Sequence, residues 1–288
     1  MWRNARIAVI IPAYNEAEHI GLVLRSLPDY VDHIVVVDDG SHDETHRQAE
    51  AVADPRVNVI RHVHNRGVGT ALCTGYRAAF ARGADVVAVM AGDGQMHPAD
   101  LPALLAPIVA GEVDYAKGDR LSHPDAFERM PFARWLGNHV LSFLTRVATG
   151  LSVADSQCGY TALHRRAGEH IAWPAVWNGY GYPNDLLGRL AEAGARIQDV
   201  TVRPVYADEK SGIGLRHALC VIPFVLFRVG LRRARNTLER VRLVRGTLLP
   251  LRRGRDLQAA QHGVLMPGYV EQPARNDFVT SPSQQARA

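Results

Sequence analysis

Hydrophobic residues come in short continuous runs along this chain, each cut off abruptly by polar or turn-forming residues. Residues 7–11, 34–37 and 86–90 are such runs, and 57–62 is read as a further strand; near-continuous apolar runs of this length are the signature of strands buried on both faces. Between them the period changes. Ile20, Val23, Leu24 and Leu27 form one stripe of a helix predicted over 15–27, with Asn15 as its cap and Glu18 three residues on, in capping-box spacing. Further helices are predicted over about 43–52, from a turn at 65–69 through Phe80, over 99–110 and over 129–149. The small residues Gly69, Ala71, Gly75, Ala78 and Ala79 suit the helix after the third strand to close packing. A short strand at 115–117 and a late one at 197–205 complete the pattern. Strands alternating with helices predict an α/β fold with a mostly parallel, doubly wound central sheet flanked by helices.

In open α/β sheets, ligands occupy the crevice beyond the carboxyl ends of the strands. The first strand runs into Pro12-Ala13-Tyr14-Asn15-Glu16, the second into Asp38-Asp39-Gly40-Ser41, and the fourth into Ala91-Gly92-Asp93-Gly94-Gln95. The first two of these strand ends are therefore expected to put a Tyr, an Asn, a Glu and two Asp on the rim of one crevice. A Tyr face can stack on a base, and a carboxylate can accept from a base N–H or a ribose hydroxyl. Taken alone, Asp38-Asp39-Gly40-Ser41 would read as a turn and helix cap. His62 and His64 share a strand face and read as structural.

Stretches 9–16, 35–41, 65–75, 90–98, 115–120, 155–160, and 181–187 with 210–213 are collinear. In them the chain resembles the family 2 glycosyltransferases of GT-A fold, most of all the dolichol- and polyprenyl-phosphate sugar synthases. The resemblance implies an inverting transfer of a sugar from a UDP- or GDP-linked donor. Pro12, Ala13, Tyr14, Asn15, Glu16 and Asp39 would hold the nucleotide, with Gly67, Gly69, Lys117 and Lys210 also on the donor side. Asp93 would bind Mg²⁺ or Mn²⁺, with Gln95 or His97 as helpers. The family's Asp-x-Asp motif is incomplete, because Ala91 stands at its first position. One or two protein carboxylates suffice for an ion that a diphosphate also holds. Asp93, Arg120 and Asp185 are the implied catalytic residues, the 155–160 stretch the acceptor-side loop, and Lys210-Ser211-Gly212-Ile213 a flexible basic lid. The implied acceptor is a polyprenyl or dolichyl phosphate. Because a phosphate monoester is already charged near neutral pH, only a hydroxyl acceptor would need Asp185 as a base.

Charge adds a second feature. Residues 1–209 hold 19 Lys/Arg against 25 Asp/Glu, whereas residues 210–255 hold 12 against the single acid Glu239. Leu231, Ala234, Leu238 and Val241 share one helical face, and Arg228, Arg232 and Arg235 share another. This is the layout of an interfacial basic helix, which would meet an anionic membrane surface through 216–255. The apolar stretch 221–227, interrupted by Pro223, is too short to span a bilayer. No nucleic-acid motif accompanies the basic residues, so a nucleic-acid partner is not expected. The three cysteines, Cys73, Cys158 and Cys220, are widely spaced, and no signal-peptide pattern opens the chain. A cytoplasmic protein, peripheral on the inner membrane face, is expected, with a homo-oligomer left open. The expected organisation is a transferase domain over 1–214, a basic amphipathic helical segment over 215–254, and a disordered polar tail over 255–288. The alternatives are a soluble transferase acting on a small hydroxylated molecule and a non-catalytic sugar-nucleotide binder. A nucleotidyltransferase is disfavoured, because the loop after the first strand has no Gly, Lys or Arg.

Overall fold

A computed structural model describes residues 1–205 and 220–248. The elements run β1 (Ile7–Ala13), α1 (Ile20–Arg25), β2 (His33–Asp38), α2 (Thr45–Glu50), β3 (Val57–Arg61), α3 (Val68–Ala81) and β4 (Val86–Val89). They continue with α4 (Leu101–Val109), β5 (Tyr115–Asp119), α5 (Ala126–Arg129), α6 (Phe132–Thr149) and β6 (Thr161–His164). The last are α7 (Arg165–Gly168), α8 (Tyr182–Glu192), β7 (Ile197–Thr201) and α9 (Ile222–Leu248). The seven strands form one sheet in the order β3-β2-β1-β4-β6-β5-β7.

β1 lies between β2 and β4, parallel to both, with Ile10 opposite Val35 on one side and Val89 on the other. Its side chains alternate between two cores. Ile7, Val9 and Ile11 pack with α1 and α4, and Ala8 and Ile10 pack with residues of α3 and α8. Since both faces are covered, every position of the strand must be apolar, hence the unbroken run in the sequence. Gly75 of α3 lies over Ile10, where an added Cβ would come within 3.1 Å of that side chain. The small residues of α3 thus let the helix sit close on the sheet.

Three features depart from the sequence expectation. Asn15 does not cap α1. Its φ is +57°, α1 starts at Ile20, and Asn15 Oδ1 accepts from the His42 amide. The loop amides of Asn15 and Glu16 donate to Ser41 Oγ and Thr45 Oγ1, so its polar groups tie β1's loop to β2's loop. The helix predicted over 129–149 breaks before Pro131 into α5 and α6, because a proline disfavours helix at the residue before it. β6, which the sequence pattern did not reveal, runs antiparallel between β4 and β5 and makes the sheet mixed.

The compact body extends through Arg233, past the boundary expected at 214. Ile222, Val225, Leu226 and Val229 of α9 are buried. Val229 packs on Gly188 of α8, and Arg232 pairs with Asp185 and Glu192. The described part of a second unit, residues 234–248, is helical. Lys210, the basic lid at 210–213 and the polar tail over 255–288 lie outside the described residues.

If α9 begins inside the core, a charge at Val229 must be costly. Val229→Asp buries an unpaired carboxylate and is expected to lower stability by more than about 2 kcal/mol, read as a shift in the urea midpoint. An unchanged midpoint would return the boundary to residue 214.

Candidate active site

The ends of β1, β2 and β4 meet on one edge of the sheet. Asp38 pairs with Ala13 in register, and its Oδ1 accepts from the Ser41 amide. Arg61 lies 3.2 Å from the same buried carboxylate. Asp38 is thus a turn-closing residue, as a turn reading of the motif requires. Asp39 Oδ1 accepts from His62 Nδ1 at 2.6 Å and from the Arg66 amide at 3.0 Å, and its Oδ2 from the Gly67 amide at 2.7 Å. A carboxylate offers about four acceptor positions, so Asp39 retains capacity for a ligand donor. His62 also meets Thr74 Oγ1 at 3.0 Å, so it is one of the groups that fix Asp39. Tyr14 is 41% exposed at the lip and meets His42 edge-on.

Gly67 and Gly69, expected on the donor side, pack against the 177–179 backbone. The amides of Gly69 and Thr70, at the N-terminus of α3, donate to the Asn178 carbonyl at 2.7 and 3.3 Å. Gly67 has φ +92°, and a Cβ there would come within 2.4 Å of Asn178 O; at Gly69 it would come within 2.0 Å of Trp177 O. Both glycines are needed so that the 177–179 backbone can lie on the start of α3, and Gly67 also gives its amide to Asp39. Gly69 is thus covered by that backbone, whereas the Gly67 amide stays in contact with Asp39.

That seated loop carries Tyr180, which sequence reasoning missed. The Tyr180 phenol is pushed up by burial and then by the negative charges of Glu16 and Asp93. A Cβ on Gly92 would lie 3.3 Å from Ala13 Cβ and 3.5 Å from Glu16 Cγ. The β4 loop thus packs on the Glu16 side chain at Gly92, next to Asp93, and Tyr180 lies within electrostatic reach of both carboxylates. Asp93 Oδ1 also accepts from the Gln95 amide, which shapes its loop. His97 accepts from the Ala99 amide and meets Arg203, a structural role. Among the described residues no three His, Cys, Asp or Glu side chains converge as a metal cage. Two carboxylates at a strand-end crevice do fit a hard divalent cation that keeps waters and takes its remaining oxygens from a diphosphate.

Lys117 was expected to face phosphates, and the structure contradicts that. Its side chain is fully buried, and Nζ donates to the Cys158 carbonyl. Burial holds its pKa below the usual lysine value. Arg120 forms a two-point contact with the buried Asp155, Nε–Oδ2 at 2.7 Å and Nη2–Oδ1 at 3.1 Å. Burial raises the pKa of Asp155, but the charge and hydrogen bonds of Arg120 outweigh it and keep the carboxyl below its ordinary range. Asp155 Oδ1 also accepts from the Gln157 and Cys158 amides, so the pair shapes the 155–158 loop.

Asp185 is corrected as well. It is fully buried in the first turn of α8. Oδ2 accepts from the Trp177 amide at 3.0 Å and Arg189 Nε at 2.9 Å, and Oδ1 from Arg232 Nη1 at 2.6 Å. Burial favours its neutral form, but the hydrogen bonds of Arg232 and Arg189 prevail and lower its pKa. A general base needs an accessible carboxylate and a pKa near the working pH; Asp185 is buried, and its carboxyl is held below the ordinary range. What it does instead is hold the root of the loop that carries Asn178 and Tyr180. Its neighbour Asn184, also buried, accepts from Thr145 Oγ1 and Gln157 Nε2.

Comparison with known proteins agrees with this geometry. Residues 8–171 match the model of "Glycosyl transferase family 2". A UDP-N-acetylglucosamine–dolichyl-phosphate N-acetylglucosaminyltransferase of Methanococcus voltae is 35% identical over 70% of this chain and 86% of its own length. A polyprenol monophosphomannose synthase of Mycolicibacterium smegmatis is 32% identical over 81% of this chain and 92% of its own. Among solved structures, glucosyl-3-phosphoglycerate synthase of Mycobacterium tuberculosis, crystallised with Mn²⁺, UDP-glucose and phosphoglyceric acid, superposes with a TM-score of 0.59. It is 23% identical and covers 79% of this chain and 80% of its own, a likeness of fold. With the family model, the curated relatives and the strand-end crevice in agreement, this chain belongs to glycosyl transferase family 2 and is a glycosyltransferase.

Proposed function

We propose that this enzyme moves a sugar, with inversion, from a UDP- or GDP-linked donor to a polyprenyl or dolichyl phosphate at a membrane face. The observation that carries the acceptor is the state of Asp185. The residue expected to serve as base for a hydroxyl acceptor is buried under two arginines. An acceptor that arrives already ionised needs no such base, and a phosphate monoester, with a second pKa of about 6, does so. The named activities of the Methanococcus and Mycolicibacterium relatives support the same acceptor class.

In this reading Tyr14 stacks on the base and Asp39 accepts from the base or ribose. Pro12, Ala13 and Asn15 shape the loop between them. Glu16 and Asp93 would hold Mg²⁺ or Mn²⁺, with Gln95 supporting the Asp93 loop. When bound, the ion neutralises the charge that develops on the departing diphosphate. Arg120, through Asp155, orders the acceptor-side loop, and Lys210 would assist at the departing diphosphate.

Three measurements test this proposal. Asp93→Asn is expected to lower sugar transfer by at least about 100-fold, the scale of losing one electrostatic partner of a transition state, and to abolish stimulation by Mn²⁺. Tyr14→Ala should weaken UDP or GDP binding in calorimetry by about 1 kcal/mol, roughly fivefold, with folding unchanged. Asp185→Asn separates the acceptors. With a polyprenyl phosphate, kcat should stay within about tenfold of the parent while the melting temperature falls. A base for a hydroxyl acceptor would instead cost about 10²–10⁴-fold in kcat.

A further inference from the structure

Helix α6 faces the wrong way for a helix bathed in water. Its inward residues are Asn138, Ser142, Thr145 and Thr149, all buried. Its outward residues are Phe132, Leu136, Val140, Phe143 and Val147, between 47% and 63% exposed. The spacing of three and four places those five side chains on one stripe. Ser142, Thr145 and Thr149 on the inner face have hydrogen-bond partners. Ser142 Oγ accepts from the Ser156 amide at 2.9 Å, Thr145 Oγ1 donates to Asn184 Oδ1 at 2.8 Å, and Thr149 Oγ1 donates to the Thr145 carbonyl. The inversion is thus a packed arrangement with its own hydrogen bonds. Phe127 of α5 and Trp135 extend the outer stripe as an aromatic cluster, their rings edge-to-face at 5.5 Å.

α9 does the same beside it. Val225 and Val229 point into the body, whereas Phe224, Phe227 and Leu231, on the opposite side, are exposed. Arg233 Nη1 donates to the Val147 carbonyl and ties this part of α9 to the end of α6. An exposed apolar surface on two neighbouring helices is uncommon in a protein surrounded by water and marks an interaction surface.

Charge identifies the occupant. Residues 131–150 contain Arg134 and Arg146 and no acid, and residues 222–233 contain Arg228, Arg232 and Arg233 and no acid, in a body where acids otherwise outnumber bases. A second copy docked through the same face would set arginine against arginine, as a two-fold interface pairs like patches. Along α6 and the start of α9 the charged residues of this apolar surface are all arginines, and the acids Asp125 and Glu128 lie only at its α5 end; an apolar stripe rimmed mainly by cations matches the boundary between anionic headgroups and acyl chains. We propose that the outer face of α6, with Phe224, Phe227 and Leu231 of α9, docks in the interface of an anionic lipid bilayer. The inner face of α6 touches Ser156 and Asn184, so the docked helix would lie directly against the 155–158 loop. The proposal extends the membrane-acceptor reading by assigning which surface meets the lipid, and it places apolar side chains ahead of the basic 216–255 segment.

The test uses full-length protein and vesicles of phosphatidylcholine with phosphatidylglycerol, without polyprenyl phosphate or sugar nucleotide. The parent is expected to co-sediment with these vesicles, and Val140→Ser combined with Phe143→Ser, which keeps every arginine, should lose at least tenfold in partitioning. The same variant should retain transfer to a short-chain, water-soluble polyprenyl phosphate, so failure of docking and failure of the acceptor reading are told apart. In the parent, brominated acyl chains should quench the emission that disappears in a Trp135→Phe variant, a readout independent of whether the double variant folds. Unchanged sedimentation of the double variant, absence of parent binding, or no quenching of Trp135 would overturn the proposal. So would a concentration-dependent dimer that the double variant abolishes, since the face would then belong to a second copy.

Discussion

The buried carboxylate of Asp185 is the point through which the site side of this molecule is held together. It receives one amide from the loop before α8, one guanidinium from α8 itself and one from α9. A carboxylate taken out of water is stable only when its acceptor positions are filled in this way. With Trp177 fixed, the next residues lie on the start of α3, where Asn178 takes the amides of Gly69 and Thr70. The adjoining Gly67 amide is then directed to Asp39. A single buried charge thereby connects α8, α9, the Tyr180 loop and the second strand-end aspartate.

This arrangement changes how the catalytic problem is divided. In the proposed reading Asp185 contributes by position, and the chemistry is left to the crevice lip that carries Glu16, Asp93 and Tyr180. Ala91 stands where the family's metal motif has its first carboxylate; in the proposed reading Glu16, whose loop is held by the hydrogen bond from its amide to Thr45 Oγ1, would supply a second carboxylate. Orientation of this kind is what a phosphate acceptor requires, since its nucleophile is charged on arrival.

Much of the framework was legible in the sequence. β1, β2 and β4 are buried on both faces, so their apolar runs and the polar loops that end them stand out; Tyr14, Glu16 and Asp39 were placed on one rim for that reason, and Asp93 by the family resemblance. β6 is four residues long, and its antiparallel pairing depends on β4 and β5 lying far away in sequence; no local period could show it. Asn15 had capping-box spacing, but the loop after β2 offered its polar groups better partners. Lys117 and Asp185 carry ordinary signals for a phosphate ligand and a base, and only their burial reverses the reading. Tyr180 lies in an aromatic and Gly-rich stretch whose meaning depends on contact with Gly67 and Gly69, more than a hundred residues earlier. The outward apolar stripe of α6 has normal helical periodicity, and the sequence cannot say which face is inside.

The central claim is that the acceptor brings its own negative charge. It is tested most directly by offering the purified enzyme labelled UDP- and GDP-sugars with either a polyprenyl phosphate or the corresponding free polyprenol, in the same detergent, with Mg²⁺ or Mn²⁺. The account expects label to move to the lipid phosphate with at least one donor, and no transfer to the alcohol. Efficient transfer to the alcohol, with the phosphate inert, would contradict it.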